Sequence, residues 1–357
     1  MTRPTLIIEP VGEAIRAALF QAGGRLRQFW LMPDPAPSLY PGAIVEGAIN
    51  GRNSAMGSLT VEVPGEGAVQ VPARGVGQEI ATLPIEIIAA PQRGTGTGRQ
   101  KPARGTAQIS AAGRYLVLRD PKGRGVKLSN RMAAGAVEPL VAEMQKEAGS
   151  WIIRHNALDV EPTTVLAEAQ RLLADWTSST RPAMSLPARI FQEMVVEPDT
   201  VDVILDAKLS DETMNKMAAL LPSEAIRAEQ EAGDRLDLDR HQYELQQAVA
   251  PFDGGQLCIE PTEALIAIDM DLASLEHCHA GLLEAVRQIQ LRNLCGSIVI
   301  DLPRGIDPAE VKKAMTNYLE QADMAATVHG VSRGGLLELS ISRRWPMLHE
   351  ILAHSPG

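Results

Sequence analysis

The stretch Leu265-Ile266-Ala267-Ile268-Asp269-Met270-Asp271 alternates as a strand with one buried face: Ile266, Ile268 and Met270 share one side, Asp269 and Asp271 the other. A helical pattern follows through Leu275, Leu282, Val286 and Ile289. Then Ser297 to Ile300 runs without a charge, which predicts a strand buried on both faces and ending at Asp301. A strand, a helical crossover and a second strand predict parallel neighbours, and these bring Asp269 and Asp301 out at one sheet edge. The carboxyl ends of strands in open α/β sheets are where ligands bind. Convergent carboxylates without Cys or His pairs favour Mg²⁺ or Mn²⁺ over zinc, and Mg²⁺ favours phosphate chemistry. The same carboxylates also fit a bland reading, with one capping a helix and another solvated in a loop. Downstream, Asp307-Pro308-Ala309-Glu310 reads as a capped helix start, which makes Asp307 structural.

Working outward, residues 1–38 predict strand, helix, strand, the helix resting on Ile15, Ala18, Leu19 and Phe20 between Glu13, Arg16 and Gln21. Residues 39–112 change character. Short apolar runs at Ala43 to Val45, Leu59 to Val63, Ala68 to Val71 and Leu83 to Ile88 alternate with turn residues, the pattern of a small all-β barrel. Strands at Gly113 to Leu118 and Trp151 to Arg154 flank a helix around Ala136 to Ala148. Residues 162–180 form an amphipathic helix on Val165, Ala169, Leu172, Leu173 and Trp176. A strand at Val201 to Leu205 then leads into acidic helical sequence. Gly94-Thr95-Gly96-Thr97-Gly98 lacks the strand and helix that a phosphate loop needs. In His277-Cys278-His279 the two histidines sit at i and i+2 and point apart on a helix, so they do not read as a zinc pair.

The chain has 357 residues and a net charge of −10, a total that argues against a nucleic-acid partner. The charge is unevenly spread: residues 1–150 hold 17 basic and 12 acidic side chains, and residues 151–357 hold 17 and 32. From Arg93 to Arg131 there are ten basic residues and one acid, Asp120, a bias that points to a polyanionic ligand. No uninterrupted apolar run is long enough to span a bilayer, and MTRPTLIIEPVGE lacks the layout of a signal peptide. The expected location is cytoplasmic, with no membrane partner. Cys258, Cys278 and Cys295 are odd in number and form no CxxC pair, which predicts reduced thiols.

At these residues the chain resembles the ribonuclease E/G family, bacterial endoribonucleases that cut single-stranded RNA. Thr262-Glu263-Ala264-Leu265-Ile266-Ala267-Ile268-Asp269 is similar to the family's T-E-A-L-x-A-I-D. Arg287-Gln288-Ile289-Gln290-Leu291-Arg292-Asn293-Leu294-Cys295-Gly296-Ser297-Ile298-Val299-Ile300-Asp301 is similar to R-Q-L-R-L-R-x-L-G-G-x-I-V-I-D, and Val331 to Ser340 to I-S-R-F-G-L-L-E-M-S. Weaker similarity runs through Arg16 to Leu19 and Gly113 to Leu118. The resemblance implies a multidomain α+β and α/β fold. Its parts would be a ribonuclease-H-like subdomain (1–38 and 195–250), an inserted S1 barrel of OB type (39–109), a 5′-sensor subdomain (110–194) and a DNase-I-like catalytic subdomain (251–357).

It also implies a catalytic Mg²⁺, with Mn²⁺ as a substitute, held by Asp269 and Asp301. Asp271 stands where the family has Asn and would be an auxiliary ligand. Single-stranded RNA would lie against Arg99, Lys101 and Arg104, and Gly113, Val117, Arg131, Arg154 and His155 would sense a 5′-monophosphate. His155 replaces the family's Thr. The family stacks bases on Phe in its S1 barrel; here no aromatic occurs between Tyr40 and Tyr115, and Leu59 and Gln70-Val71 fall at those places. The stretch before the Arg287 helix is shortened around His277-Cys278-His279. The family's zinc-sharing cysteine pair does not occur before Gly357, so no zinc-linked dimer is expected. The implied activity is Mg²⁺-dependent RNA cleavage. The alternatives are an RNA-binding protein of this fold without catalysis and an unrelated metal-dependent phosphoesterase.

Overall fold

The computed structural model describes residues 2–33, 38–92, 101–129, 132, 135, 137–154, 157–158, 160–177, 201–209, 211, 226–322 and 324–353. The chain forms two compact units. One comprises Met1–Tyr40, Ala89–Pro102 and Ser185–Gly357; the other comprises Pro41–Ile88 and Ala103–Met184.

The first unit begins with an antiparallel meander of β1 (Thr5–Val11), β2 (Ala14–Phe20) and β3 (Leu26–Pro33). The helix expected between residues 13 and 21 is therefore strand β2. Ile15, Ala17 and Leu19 enter one core and Ala18 and Phe20 another, so both faces of β2 are buried. A strand apolar on both faces mimics helical spacing, because its period of two is hidden.

The second unit holds a closed barrel of β4 (Ile44–Asn53), β5 (Ser58–Val63), β6 (Gly67–Pro72), β7 (Thr82–Ala89) and β8 (Ala103–Thr106). Leu59, Val61, Val69, Val71, Ile85 and Ile87 are buried in it, as the alternating runs predict. Gly47 is required by packing, since a Cβ there would lie 2.6 Å from Val61 Cγ1. A four-stranded sheet follows, built from β9 (Ala111–Ala112), β10 (Leu116–Asp120), β11 (Arg124–Leu128) and β12 (Gly149–Ile153) in the order β11-β12-β10-β9. Helices α1 (Glu138–Met144) and α2 (Pro162–Thr177) cover it. Val165, Ala169 and Leu172 of α2 pack on Leu116, Leu118, Trp151 and Ile153.

Back in the first unit, β13 (Asp202–Asp206) and β14 (Ile226–Glu229) extend the meander in parallel, giving the order β14-β13-β1-β2-β3. After α3 (Leu238–Gln246), a second sheet is built from β15 (Val249–Phe252), β16 (Gly255–Pro261), β17 (Ile266–Leu272), β18 (Gly296–Asp301), β19 (Ala326–Val331) and β20 (Leu336–Ile341). Its order is β15-β16-β17-β18-β20-β19. Helix α4 (Cys278–Leu291) is the crossover from β17 to β18, and α5 (Pro308–Gln321) leads to β19. A short α6 (Leu348–Leu352) ends the described chain. Leu282, Ala285, Val286 and Ile289 of α4 and Val311 and Met315 of α5 share one core with Ile268 and Ile300. Strand β18 is buried on one face only: Ile298 and Ile300 are inside, while Ser297 and Asp301 are exposed.

The first sheet also holds a charge in its interior. Arg16 of β2, 4% exposed, donates through Nε to Glu9 of β1 at 2.8 Å, and Glu9 accepts the Gly233 backbone N–H at 3.1 Å. Removing one partner of such a pair leaves an uncompensated buried charge. Arg16→Met is therefore expected to lower stability by about 3–5 kcal/mol. Chemical denaturation should show this loss and its partial recovery in Glu9→Leu/Arg16→Met; a single mutant as stable as wild type would show the pair to be idle.

Candidate functional site

Strands β17 and β18 are parallel, and Asp269 and Asp301 are direct register partners. Ile268 pairs with Ile300 one step earlier on the buried face, so alternation puts both aspartates on the opposite, open face. With strands about 4.8 Å apart, the carboxylates emerge side by side. Both are exposed, and neither carboxylate makes a hydrogen bond or ion pair with a described residue. Asp271 lies two residues further along the same face and accepts a hydrogen bond from Gln256 Nε2 at 3.1 Å. Cys258 of β16 is the register partner of Asp269 on its other side.

The loops at this edge are tightly built. After β18, the Leu302 backbone N–H bonds the carbonyl of Gly335, which joins the 302–305 loop to the β19–β20 turn. In that turn the Ser332 backbone N–H donates to the Leu336 carbonyl at 2.8 Å, and Ser332 Oγ accepts the Leu336 N–H at 3.2 Å. Arg304 and Arg333 stand exposed on these two loops and bond no described residue. Asp307 Oδ1 caps α5 by accepting the Ala309 N–H at 2.9 Å, as the sequence predicts.

Among the described residues, no three His, Cys, Asp or Glu side chains converge as a metal cage. The site is thus a pair of hard oxygen donors with open surroundings. That donor set fits Mg²⁺, which binds through one or two carboxylates and completes its shell with water and phosphate oxygens. His279 is drawn elsewhere, with Nδ1 2.9 Å from the Tyr318 hydroxyl and Nε2 3.4 Å from Glu310 Oε1. Cys278 is buried; burial first and Glu310 second push its thiol pKa upward.

The other candidates are dispersed. Lys101 is exposed and exchanges two backbone bonds with Gln92; Arg104 is exposed on β8; Arg99 lies outside the described residues, as does Gly94 to Gly98. Leu59 and Val71 face each other inside the barrel, so they are not base-stacking positions. The outward neighbours Thr60 and Gln70 are polar and bond each other at 3.2 Å.

Of the proposed phosphate-sensing set, Arg131 and His155 lie outside the described residues. Arg154 donates through Nη1 to the Gly113 carbonyl at 2.6 Å, and its backbone N–H bonds the Tyr115 carbonyl. Val117 is half-buried on β10.

What the sequence reading missed is Glu168 of α2, whose carboxylate accepts three successive backbone N–H groups, Arg114 (2.7 Å), Tyr115 (2.8 Å) and Leu116 (2.9 Å). Gly113 has to be glycine here, because a Cβ would lie 2.4 Å from Glu168 Cδ. The available signal was an acid on the apolar side of α2, directly before Ala169.

Three mixed sheets, a closed barrel and an acidic pair on an open sheet face define a multidomain α+β protein whose candidate site is made of hard oxygen donors. The family model described as "Ribonuclease E/G family" matches residues 110–344, and the chain belongs to that family. It is 26% identical over 295 residues to ribonuclease E of Synechocystis sp., covering 71% of this chain and 43% of that protein. It is 26% identical over 294 residues to ribonuclease G of Escherichia coli (71% and 59%), and 28% identical over 288 residues to ribonuclease E of the same organism (70% and 27%). The chain spans about half the length of the first two of these relatives.

Glu168→Ala would strand the Arg114, Tyr115 and Leu116 amides, at about 1–3 kcal/mol for each donor left buried and unsatisfied. Unfolding measurements should show a loss of at least about 2 kcal/mol, and hydrogen exchange should quicken at those three amides; unchanged exchange would contradict the contact.

Proposed function

We propose that this chain is an endoribonuclease that cuts single-stranded RNA by metal-assisted phosphodiester hydrolysis. The observation that carries the reading is the register pairing of Asp269 with Asp301 on the open sheet face. These two residues would hold Mg²⁺, or Mn²⁺ in its place, and Asp271, steadied by Gln256, would be an auxiliary oxygen donor. The bound ion would supply an oriented, activated water for in-line attack and offset charge on the phosphate. Asp269 and Asp301 fix its position from two strands whose buried faces are locked in one core, so neither carboxylate depends on a mobile loop.

The remaining parts follow the same reading. The order β14-β13-β1-β2-β3, with β13 and β14 parallel to β1, supports a ribonuclease-H-like subdomain from residues 1–38 and 195–250. The closed five-stranded barrel supports an S1-type module over 39–109. Residues 110–194 would be the 5′-sensor, with Arg154 fastened to the Gly113 loop, and 251–357 the DNase-I-like catalytic part. RNA would be drawn by Lys101 and Arg104 through charge, since the outward positions of β5 and β6 carry no aromatic ring. No described helix is long and apolar enough to cross a membrane, and we infer action in the cytoplasm.

The test is cleavage of 5′-monophosphorylated and 5′-hydroxyl single-stranded RNA with and without Mg²⁺. Asp269→Asn and Asp301→Asn should each lower the rate about a hundredfold or more, since several kcal/mol of charge stabilisation depend on the ion. Cleavage undiminished in both variants would overturn the metal assignment, and salt-sensitive RNA binding without metal-dependent cleavage would favour a binding protein of this fold. Lys101→Ala should lessen the slope of log affinity against log salt by about 0.7, as for one lost phosphate contact on a single strand.

A further inference from the structure

At the other end of β17 from Asp269 and Asp271 lies a cavity of about 280 Å³, with walls that include Leu245, Ile259, Leu294 and Leu348 and two basic side chains, Arg292 and His349. Pro261, which also lines it, pairs with Ile266 at the first residue of β17. The volume falls near the lower bound of small-molecule sites, about 300–1,000 Å³, and suits a single ring with one head group.

Arg292 is 7% exposed, and every described hydrogen-bond partner it has is neutral. Its Nε donates to Gln288 Oε1 at 2.8 Å and its Nη1 to the Gln247 carbonyl at 2.7 Å; its Nη2 is buried with no partner among the described residues. The neighbouring acid, Glu284, is committed to Arg287, Arg25 and Gln288. Burial lowers the Arg292 pKa to about 10, with Arg287 adding to the effect and Glu284 opposing it, so the guanidinium stays charged near neutrality. A buried cation with no counter-ion beside an apolar cavity is costly, and an anion entering that cavity would relieve the cost.

His349 lies on the same wall. Burial lowers its pKa, Glu350 pulls the other way, and Arg343 and Arg292 lower it further. Glu350 itself is engaged with Arg343 and with the Met347 backbone N–H. Its pKa thus lies below the ordinary imidazole value, so His349 is neutral near pH 7, and among the described residues the acids of α4 and α6, Glu284 and Glu350, are both engaged with other groups.

We propose that this cavity binds an organic anion, a carboxylate or phosphate ester on an apolar ring, whose charge balances Arg292 while the ring rests on the aliphatic walls. Nothing in the acid pair on the open sheet face is needed for this, so the site stands apart from the nuclease reading. An anion beside His349 would also favour its protonated form, so binding should take up a proton and tighten as the pH falls.

The test is calorimetry of the whole chain with benzoate, phenyl phosphate, inorganic phosphate and benzyl alcohol. Benzoate or phenyl phosphate should bind saturably and at least about tenfold more tightly than inorganic phosphate, which lacks the ring, and benzyl alcohol, which lacks the charge. Preference between the two anions assigns the head group. Ala248 lines the cavity and is exposed, so Ala248→Phe should fill the space without disturbing a core and abolish binding. Arg292→Lys, checked for folding by circular dichroism, should weaken binding about tenfold. Equal binding by wild type and Ala248→Phe, equal binding of the alcohol and the anions, or no saturable binding of either anion would overturn the proposal. RNA cleavage should be the same in Ala248→Phe, so failure here and failure of the nuclease reading are separately visible.

Discussion

The site depends on one constraint, the parallel register of β17 on β18. Ile266 and Ile268 of β17 and Ile298 and Ile300 of β18 are buried beneath α4 and α5, and each such side chain contributes about 1.5–3 kcal/mol by leaving water. Side chains alternate with a period of two, so a slip of one residue would drive Asp269 or Asp301 into that core. The adjacency of the two carboxylates stabilises nothing by itself. Two like charges about 5 Å apart in water repel by about 0.8 kcal/mol, far less than the four isoleucines supply. The apolar face therefore dictates where the charges stand, and a repulsive pair persists on the open face.

The same alternation explains what could be read from the sequence. Strand β17 has one wet face, so its pattern names both the core residues and the aspartates, and the helical crossover supplies the parallel pairing. Strand β2 is sandwiched between two cores, and its signal, Ile15 through Phe20, is indistinguishable by spacing from a helix. Ser297 to Ile300 errs the other way: an apolar run suggests two buried faces, but α4 and α5 cover only one. Glu168 was hidden because its role is non-local. Nothing in the spacing of α2 says that a carboxylate there will gather three amides more than fifty residues away.

The acidic residues sort by what satisfies them. Asp206 is 2% exposed and accepts the backbone N–H groups of Lys208 and Ala232; Glu9, Glu168 and Glu284 are likewise buried and saturated by amides or guanidinium groups. Each fastens segments distant in sequence, as buried charges must if they are to be tolerated. Asp269 and Asp301 have the opposite character, exposed and unpartnered among the described residues. Sequence composition counts all of these as equal negative charges, yet only the second kind is available to a ligand.

That distinction changes how the net charge of −10 is understood. The split between a basic first 150 residues and an acidic remainder does not follow the folded units. The second unit holds 2 basic and 5 acidic side chains over residues 41–88, and 11 and 8 over residues 103–184, which leaves it neutral. The barrel up to β7 is thus acidic, not basic. The bias is local: from Lys101 on the bridge to Gln92, through Arg104 on β8, to Lys127 on β11, seven basic residues stand against Asp120 alone. Over distances beyond about 8–10 Å such charges are screened at ordinary salt, so a charged partner would respond to the local bias and not to the sum over the chain.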